Sequence, residues 1–280
     1  MQRLFFYLFM CCCCAVAQAQ VIYAPQDSVR IEQLLRESPK GNAVLYYARQ
    51  FIGVPYVAHT LEVNDPERLV VNTRELDCTT LVETTLALAK TKAEGDSTFS
   101  AFCRNLEKLR YFKGMCQGYT SRLHYFTWWM HDNLERGNIT EVRPERYATA
   151  SMVVNNYYMS TKPQLYKMLR LHPEWVSEVH ALEQKFNGSD GYYLPEKHVG
   201  LSQAQLSPIA SGDLVAIVTN KAGLDYSHLG FAVWGKDGKL HLLNASSIHG
   251  KVVEEPMTLQ QYLFRAKNRL GIRCFRLNIR

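Results

Sequence analysis

Between Asp77 and Ala89 the chain specifies a helix with almost no side for water. Leu81, Val82, Thr85, Leu86, Leu88 and Ala89 fall round nearly its whole circumference, and a helix that is apolar all round has to be covered all round. The remaining chain must therefore supply layers that enclose it. Its first turn is as informative. Asp77 stands where an N-cap carboxylate accepts the unpaired first-turn amides, and Cys78 opens the helix, where exposed N–H groups and the dipole favour an anion. Thiolate nucleophiles occupy such positions, but a lone cysteine is also a small buried hydrophobe. Position alone favours the packing role.

Helices are expected before the sheet and strands after it. The spacing predicts short amphipathic helices over 29–37 and 41–51, the second ended by Gly53-Val54-Pro55-Tyr56 because glycine suits a helix exit and proline blocks continuation. Residues 61–76 read as loop or edge strand. From 97 to 207 the chain reads as helical and aromatic, with helices over 98–111, 122–136, 163–171 and 173–186, a strand within 141–151 and a polar loop over 189–200 carrying Tyr192 and Tyr193. The last third is β-rich: 213–219, 228–234, 240–245 and 272–277 are short runs separated by turn residues. Helices collected before a set of antiparallel strands indicate an α+β fold with a central antiparallel sheet, not a doubly wound one.

The first nineteen residues read as an export signal. Arg3 precedes an apolar run, four cysteines (Cys11 to Cys14) and Ala15-Val16-Ala17-Gln18-Ala19, a stretch too short for a membrane span and ending in a small-residue cleavage pattern. Cleavage after Ala19 and periplasmic export are expected. A lipid anchor on one of the four cysteines is the lesser alternative, because Leu8-Phe9-Met10 lacks small residues. Residues 20–280 are then long enough for one large domain. Without Arg3, the 32 Lys and Arg fall to 31 against 26 Asp and Glu, a net charge of +5 with no basic run. That gives no support to nucleic-acid binding and is compatible with an anionic wall polymer. Of Cys78, Cys103, Cys116 and Cys274, the nearest candidate disulfide pair is Cys103 with Cys116, though spacing cannot establish connectivity. No C-x-x-C pair suggests zinc. No cofactor is expected, and the chain is expected to act as a monomer.

Thiol hydrolysis needs a base and a group that orients the base. His228 opens one strand and Asn244 lies on the next, and Cys-His-Asn is one of the convergent triads. The turn between them, Gly235-Lys236-Asp237-Gly238-Lys239, decides whether they can meet. A two-residue Asp-Gly turn would pair Phe231 with Asn244 and put Asn244 on the face opposite His228. A three-residue loop, Lys236-Asp237-Gly238 with a left-handed Gly238, pairs Gly230 with Asn244 and sets His228 diagonal to it, within roughly 7–8 Å between backbones. The three-residue loop is predicted, with Gly230 removing the side chain that would face Asn244. A helix N-terminus contributes about 0.3–1 kcal/mol, under ~1 pKa unit. From a starting value near ~8.5, the imidazolium of His228 is therefore expected to do most of the work of making the thiolate. The Cys78 N–H is placed to receive an oxyanion, with Tyr56 a candidate second donor or merely part of the wall. Ser246 and Ser247 lie near enough to compete with Asn244, and Asp77 reads as a cap before a catalyst. His241 and His249 read as surface residues.

Taken in order, Gly53-Val54-Pro55-Tyr56, Asp77-Cys78-Thr79-Thr80-Leu81, Ser211-Gly212-Asp213-Leu214-Val215, His228-Leu229-Gly230-Phe231 and Leu243-Asn244-Ala245-Ser246 resemble the NlpC-type cell-wall cysteine peptidases, a papain-like superfamily. The resemblance covers 43–89 and 211–247. It implies a papain-like core, Cys78 as nucleophile, His228 as base and Asn244 in the orienting position that many members fill with His. Two features depart from the pattern: Thr79-Thr80 stands where many members have Ser-Gly, and 150 positions separate nucleophile from base, so 97–207 is expected to be a helical insertion folded beside the site. That layout, with Ser121-Arg122-Leu123-His124-Tyr125 and Gly223-Leu224-Asp225-Tyr226-Ser227-His228, resembles a branch first catalogued as a domain of unknown function. That branch includes N-acetylmuramoyl-L-alanine amidases acting on anhydro-muropeptides. The resemblance implies an amidase acting on disaccharide-peptide fragments of peptidoglycan, with Tyr56, Asp77, Arg122, Tyr125, Tyr226 and Ser227 as candidate substrate contacts. The rival readings are an endopeptidase for the γ-D-glutamyl–diamino acid bond and an inactive wall-binding module.

Overall fold

The computed structural model describes residues 21–279. The expected export signal, its cleavage point and Cys11 to Cys14 lie outside them. The chain runs through α1 (Pro25–Arg36), α2 (Ala43–Arg49), α3 (Cys78–Ala93), α4 (Phe99–Arg110), α5 (Phe126–Glu135), β1 (Ile139–Val142), β2 (Ala150–Val153), α6 (Tyr158–Thr161), α7 (Lys167–Leu171), α8 (Trp175–Phe186), β3 (Asp190–Pro195), β4 (Leu214–Thr219), β5 (Tyr226–Trp234), β6 (Leu240–Ser246), β7 (Lys251–Glu254), α9 (Leu259–Phe264) and β8 (Arg269–Leu277). The strands form one mixed-order sheet, β2-β3-β8-β4-β5-β6-β7, with β1 also on β8, and every strand pairing is antiparallel. The α+β expectation with a central antiparallel sheet therefore matches the architecture.

Side-chain alternation divides the apolar residues into two cores. On β4, Leu214 and Ala216 face the helical layer with Leu229, Phe231 and Phe275. Val215 and Ile217 face a thinner cover made by Leu259 and Leu263 of α9 together with Leu206 and Ile209. Strand β4 is buried along its whole length, as a central strand covered on both faces must be. Among the described residues no helix is long and apolar enough to cross a membrane.

Helix α3 sits in the middle of the larger core, packed against α1, α2, α4, β5 and β6. It is buried from Thr80 to Ala89 and again at Thr91. Its start is capped: Asp77 Oδ1 accepts from the Thr80 N–H at 2.8 Å, and Thr80 Oγ1 accepts from the Asp77 N–H at 2.9 Å. This reciprocal box satisfies two donors at once and gives Thr80 a structural reason for being there. Glu83 is the one charge in the buried run. Arg110 of α4 meets it at 2.6 Å, both side chains being 2% exposed, and also donates to the Val70 carbonyl at 2.6 Å.

Six sequence expectations need correction. The helix expected over 122–136 starts only at Phe126. Arg122 instead forms an antiparallel bridge with Tyr111, and the Leu123 N–H donates to the Arg110 carbonyl, so tertiary pairing overrides the local pattern. The strand expected in 141–151 is two strands split by a turn at Pro144, a residue that cannot donate to a ladder. The expected loop over 189–200 contains β3, which joins β2 to β8. The 97–207 segment is accordingly helical only in part, since β1, β2 and β3 extend the sheet. The helix expected over 163–171 is interrupted at Tyr166, which is extended. The candidate disulfide is absent: Cys78, Cys103, Cys116 and Cys274 are all free thiols.

Replacing Arg110 by Met strands the Glu83 charge inside the core, and breaking a buried pair in this way costs about 3–5 kcal/mol. Urea unfolding should show that loss in R110M and recovery of most of it in the double variant E83L/R110M, where no charge is left unpaired.

Candidate active site

The capped start of α3 abuts β5. The Leu229 N–H and the Thr79 hydroxyl and amide act on the Cys78 thiol and favour its charged form. His228 is the residue before Leu229 on β5, and its Nε2 lies 2.9 Å from Asn244 Oδ1 on β6. The β5–β6 register pairs Phe231 with Leu243 and Trp234 with Leu240. The connection is the three-residue loop anticipated from the sequence, with the Gly235 N–H bonded to the Lys239 carbonyl at 2.9 Å and Gly238 at φ 70°. A side chain at position 230 would begin 2.6 Å from the Leu243 carbonyl oxygen and 3.1 Å from Asn244 Cβ, so glycine there is what allows the close approach. With Nε2 bonded to Asn244, Nδ1 is the imidazole nitrogen left without that partner. The opposite side of the imidazole is backed by Tyr262 of α9, ring centroids 6.2 Å apart at 27°, and Arg269 lies over that tyrosine at 4.1 Å.

Burial sets the resting charges. The imidazole of His228 is pushed below its ordinary value by desolvation, against the Asn244 hydrogen bond. Cys78 is only half-buried as a residue, but protein crowds its sulfur and pushes the thiol up to about 12; the Asp77 carboxylate adds to this, while the Leu229 and Thr79 hydrogen bonds oppose it. The helix-terminus contribution is too small to offset such a rise. Both shifts favour the neutral forms, a thiol and an imidazole, where the sequence reading expected the imidazolium to support a thiolate. Cys78 can still act, provided that His228 takes the proton during attack, as a general base does.

The candidate substrate contacts fall into three groups. Tyr56 is half-buried near the nucleophile; burial first, then the charges of Cys78 and Asp77, push its hydroxyl up to about 12. Asp77, Arg122 and Tyr125 line a cleft of about 180 Å³ beside the first turn of α3, together with Thr79, Glu62 and Tyr166. Arg122 is nevertheless engaged, lying 3.0 Å from Glu67 and 3.5 Å from Glu62. The Tyr125 hydroxyl donates to Glu183 at 2.7 Å and accepts from the Met159 N–H at 2.8 Å. These two residues build the wall, and their hydrogen-bonding groups are turned to protein. Tyr226 and Ser227 are not brought into the cleft. A bulge between Ile217 and Val218 of β4 disturbs the β5 alternation, so Tyr226 packs on Phe126 with its hydroxyl bonded to Arg273, and Ser227 is exposed.

Sequence reasoning missed His59, Glu62 and Tyr166 in the cleft, all from loops or short turns that carry no periodic signal. It also missed Tyr262, although Thr258 and Gln261 form a capping box that marks the start of its helix.

The charge states predict a measurable reactivity. Alkylation of Cys78 by iodoacetamide, read against a Cys78→Ala background, should be slow at about pH 7 and climb with pH beyond the ~8.5 of an ordinary thiol. A thiolate standing at neutral pH would already react fully there. His228, held low by burial, should protonate only below its ordinary ~6.5, so its acid limb should lie on the acid side of that value.

The family described as AmiA-like, N-acetylmuramoyl-L-alanine amidase-like, matches residues 46–272. A crystal structure of an N-acetylmuramoyl-L-alanine amidase from Bacteroides uniformis is similar at 41% identity and TM-score 0.78, covering 84% of this chain and 98% of the other. A Bacteroides fragilis structure described as a putative xylanase is similar at 41% identity and TM-score 0.77, covering 83% and 100%. A Legionella pneumophila protein at 22% identity and TM-score 0.69, covering 90% and 94%, shares the fold. No curated protein matches. A match across this much of the chain, through the capped cysteine helix, β5 and β6, places the protein in the AmiA-like, N-acetylmuramoyl-L-alanine amidase-like family.

Proposed function

We propose that the protein is a cysteine amidase that hydrolyses the bond between the lactyl carbonyl of N-acetylmuramic acid and the amine of L-alanine in peptidoglycan fragments. The observation that carries this reading is the capped head of α3, where Cys78 packs against β5 at Leu229, the residue that follows an imidazole anchored on Asn244. Cys78 sulfur attacks the carbonyl carbon as its proton passes to His228 Nδ1. The oxyanion forms near the Cys78 N–H, and the proton goes on to the departing amine as the C–N bond breaks. Water then attacks the thioester with His228 as base, releasing the carboxylate and restoring the thiol. A cysteine at a helix start followed by antiparallel strands bearing His and Asn supports the papain-like, NlpC-type relationship.

The choice of bond is supported by the activity in the Bacteroides uniformis relative's name and by the family description. The preference for anhydro-muropeptides rests on the branch resemblance. Glycoside hydrolysis, suggested by the Bacteroides fragilis relative's description, fits the cleft less well. It calls for two carboxyl groups free to protonate and to attack, whereas Glu62 is tied to Arg122, Glu83 to Arg110 and Asp77 to Thr80. The proposal includes export to the periplasm by the signal at 1–19 and action of residues 20–280 as a single-domain monomer.

Digestion of purified muropeptides with and without anhydro ends, followed by mass spectrometry, tests the reading. Free disaccharide and intact stem peptide are expected, with anhydro substrates turned over faster. Cys78→Ala should lose at least about 10³-fold in kcat. An L-Ala–D-Glu-bearing sugar as product, or full turnover by Cys78→Ala, would remove the reading.

A further inference from the structure

Behind the orienting residue lies a group that the reaction does not touch. Glu255, which follows β7, is 3% exposed. Its Oε1 accepts from Asn244 Nδ2 at 3.0 Å, and its Oε2 lies 3.2 Å from His249 Nε2. His249 sits on the β6–β7 turn with a side chain 38% exposed. We propose that Glu255 is a positioning residue for the hydrolysis, fixing which way the Asn244 amide faces and thereby which nitrogen His228 presents to Cys78, with His249 as its solvent-side partner.

The argument is one of donors and acceptors, and it rests on the reading of Cys78, His228 and Asn244 given above. A carboxamide can present either oxygen or nitrogen to a histidine, and both fit the same space. An ionised carboxylate only accepts. It therefore takes the NH₂ of Asn244 and turns the amide oxygen toward His228. That oxygen can only accept, so the proton of the neutral imidazole must sit on Nε2, and the lone pair falls on Nδ1. Without the carboxylate the amide is free to invert, which puts the proton on Nδ1 and removes the base. A tautomer error of this kind is among the most damaging changes a triad can suffer. Asn244 is wholly buried, so water cannot impose the orientation instead.

Other charges reach these groups. Besides Asn244 and Tyr262, Arg269, Glu255 and Asp77 act on His228. His241 Nδ1 lies 3.4 Å from the Glu255 backbone carbonyl, with Asp237 on its far nitrogen. Glu255 is thus the anion on the Asn244 side of the imidazole, and its field favours the imidazolium that forms during attack.

The test is Glu255→Gln, nearly isosteric, assayed beside wild type with a thermal melt of each. Glu255→Gln should lower kcat about tenfold or more with little change in KM, since the loss falls on the transition state. Both limbs of its pH–kcat/KM profile should move to lower pH, because an anion beside the shared proton has gone. Alkylation of Cys78 should slow about tenfold at about pH 7, where the imidazole must help, yet match wild type at about pH 10, where the thiol increasingly ionises unaided. A folded Glu255→Gln protein with wild-type limbs and unchanged alkylation at both pH values overturns the proposal. So does a loss of activity that merely follows the folded fraction in the melts. If wild type turns over no muropeptide, the amidase reading fails, but the alkylation comparison still decides the role of Glu255.

Discussion

Everything in this molecule follows from burying α3 on all sides. A fully enclosed helix leaves only its ends free to do chemistry, and the Asp77–Thr80 box fixes where the N-terminal end lies. Enclosure also explains the sheet. One face must be apolar to cover the helix, as Phe231, Leu243 and Phe275 show, and the covering strand then runs its backbone past the first turn. The Leu229 N–H consequently reaches the thiol because β5 packs against α3. The placement of Cys78 is thus a consequence of core packing.

The same burial determines how the chemistry can run. In a crowded, weakly polar site an isolated thiolate or imidazolium is expensive, and burial pulls both groups toward their neutral forms. In the proposed reaction the fold supplies a relay for one proton: thiol, Nδ1, Nε2–H, amide oxygen, amide NH₂, carboxylate. Each link has one donor and one acceptor, and the anion at the far end gives the sequence its direction. Electrostatic support prepared before reaction costs no reorganisation during it. The separation of the reacting thiol from the charge that polarises its base keeps that charge from competing for the substrate.

How much of this could be read from residues alone depended on whether the cause was local. The β5–β6 hairpin was legible down to its register, because Gly238 dictates a left-handed turn residue and side-chain alternation then fixes which partner His228 meets. The enclosed helix was legible for a similar reason. Arg122 to Tyr125 were not: their apolar spacing suits a helix, but the bridge to Tyr111 and the pull of Glu67 on Arg122 come from residues 40 or more positions earlier or from a preceding turn. Strand β3 offered a fair local signal in Tyr192-Tyr193-Leu194, obscured by the polar residues around it. Glu255 and His249 gave no signal at all. Their meaning appears only once β7 lies beside β6 and puts a carboxylate behind Asn244.

The long segment between nucleophile and base can be understood in the same terms. Its Arg122 ties Glu62 and Glu67, residues of the loop that leads into the cysteine helix, while Tyr111 and Tyr119 donate to the same two carboxylates. A partly satisfied cluster of this kind would be a liability in a low-dielectric interior. Here the two glutamates have both cationic and phenolic partners, so the segment and the loop are fastened to each other across the cleft wall. A wall held by buried charge pairs does not open and close readily, since parting them would strand each charge. The cleft beside the first turn of α3 is therefore shaped by the fold itself, and in the proposed reaction the segment's part is positioning, the holding of a reacting carbonyl within a fraction of an ångström of the sulfur.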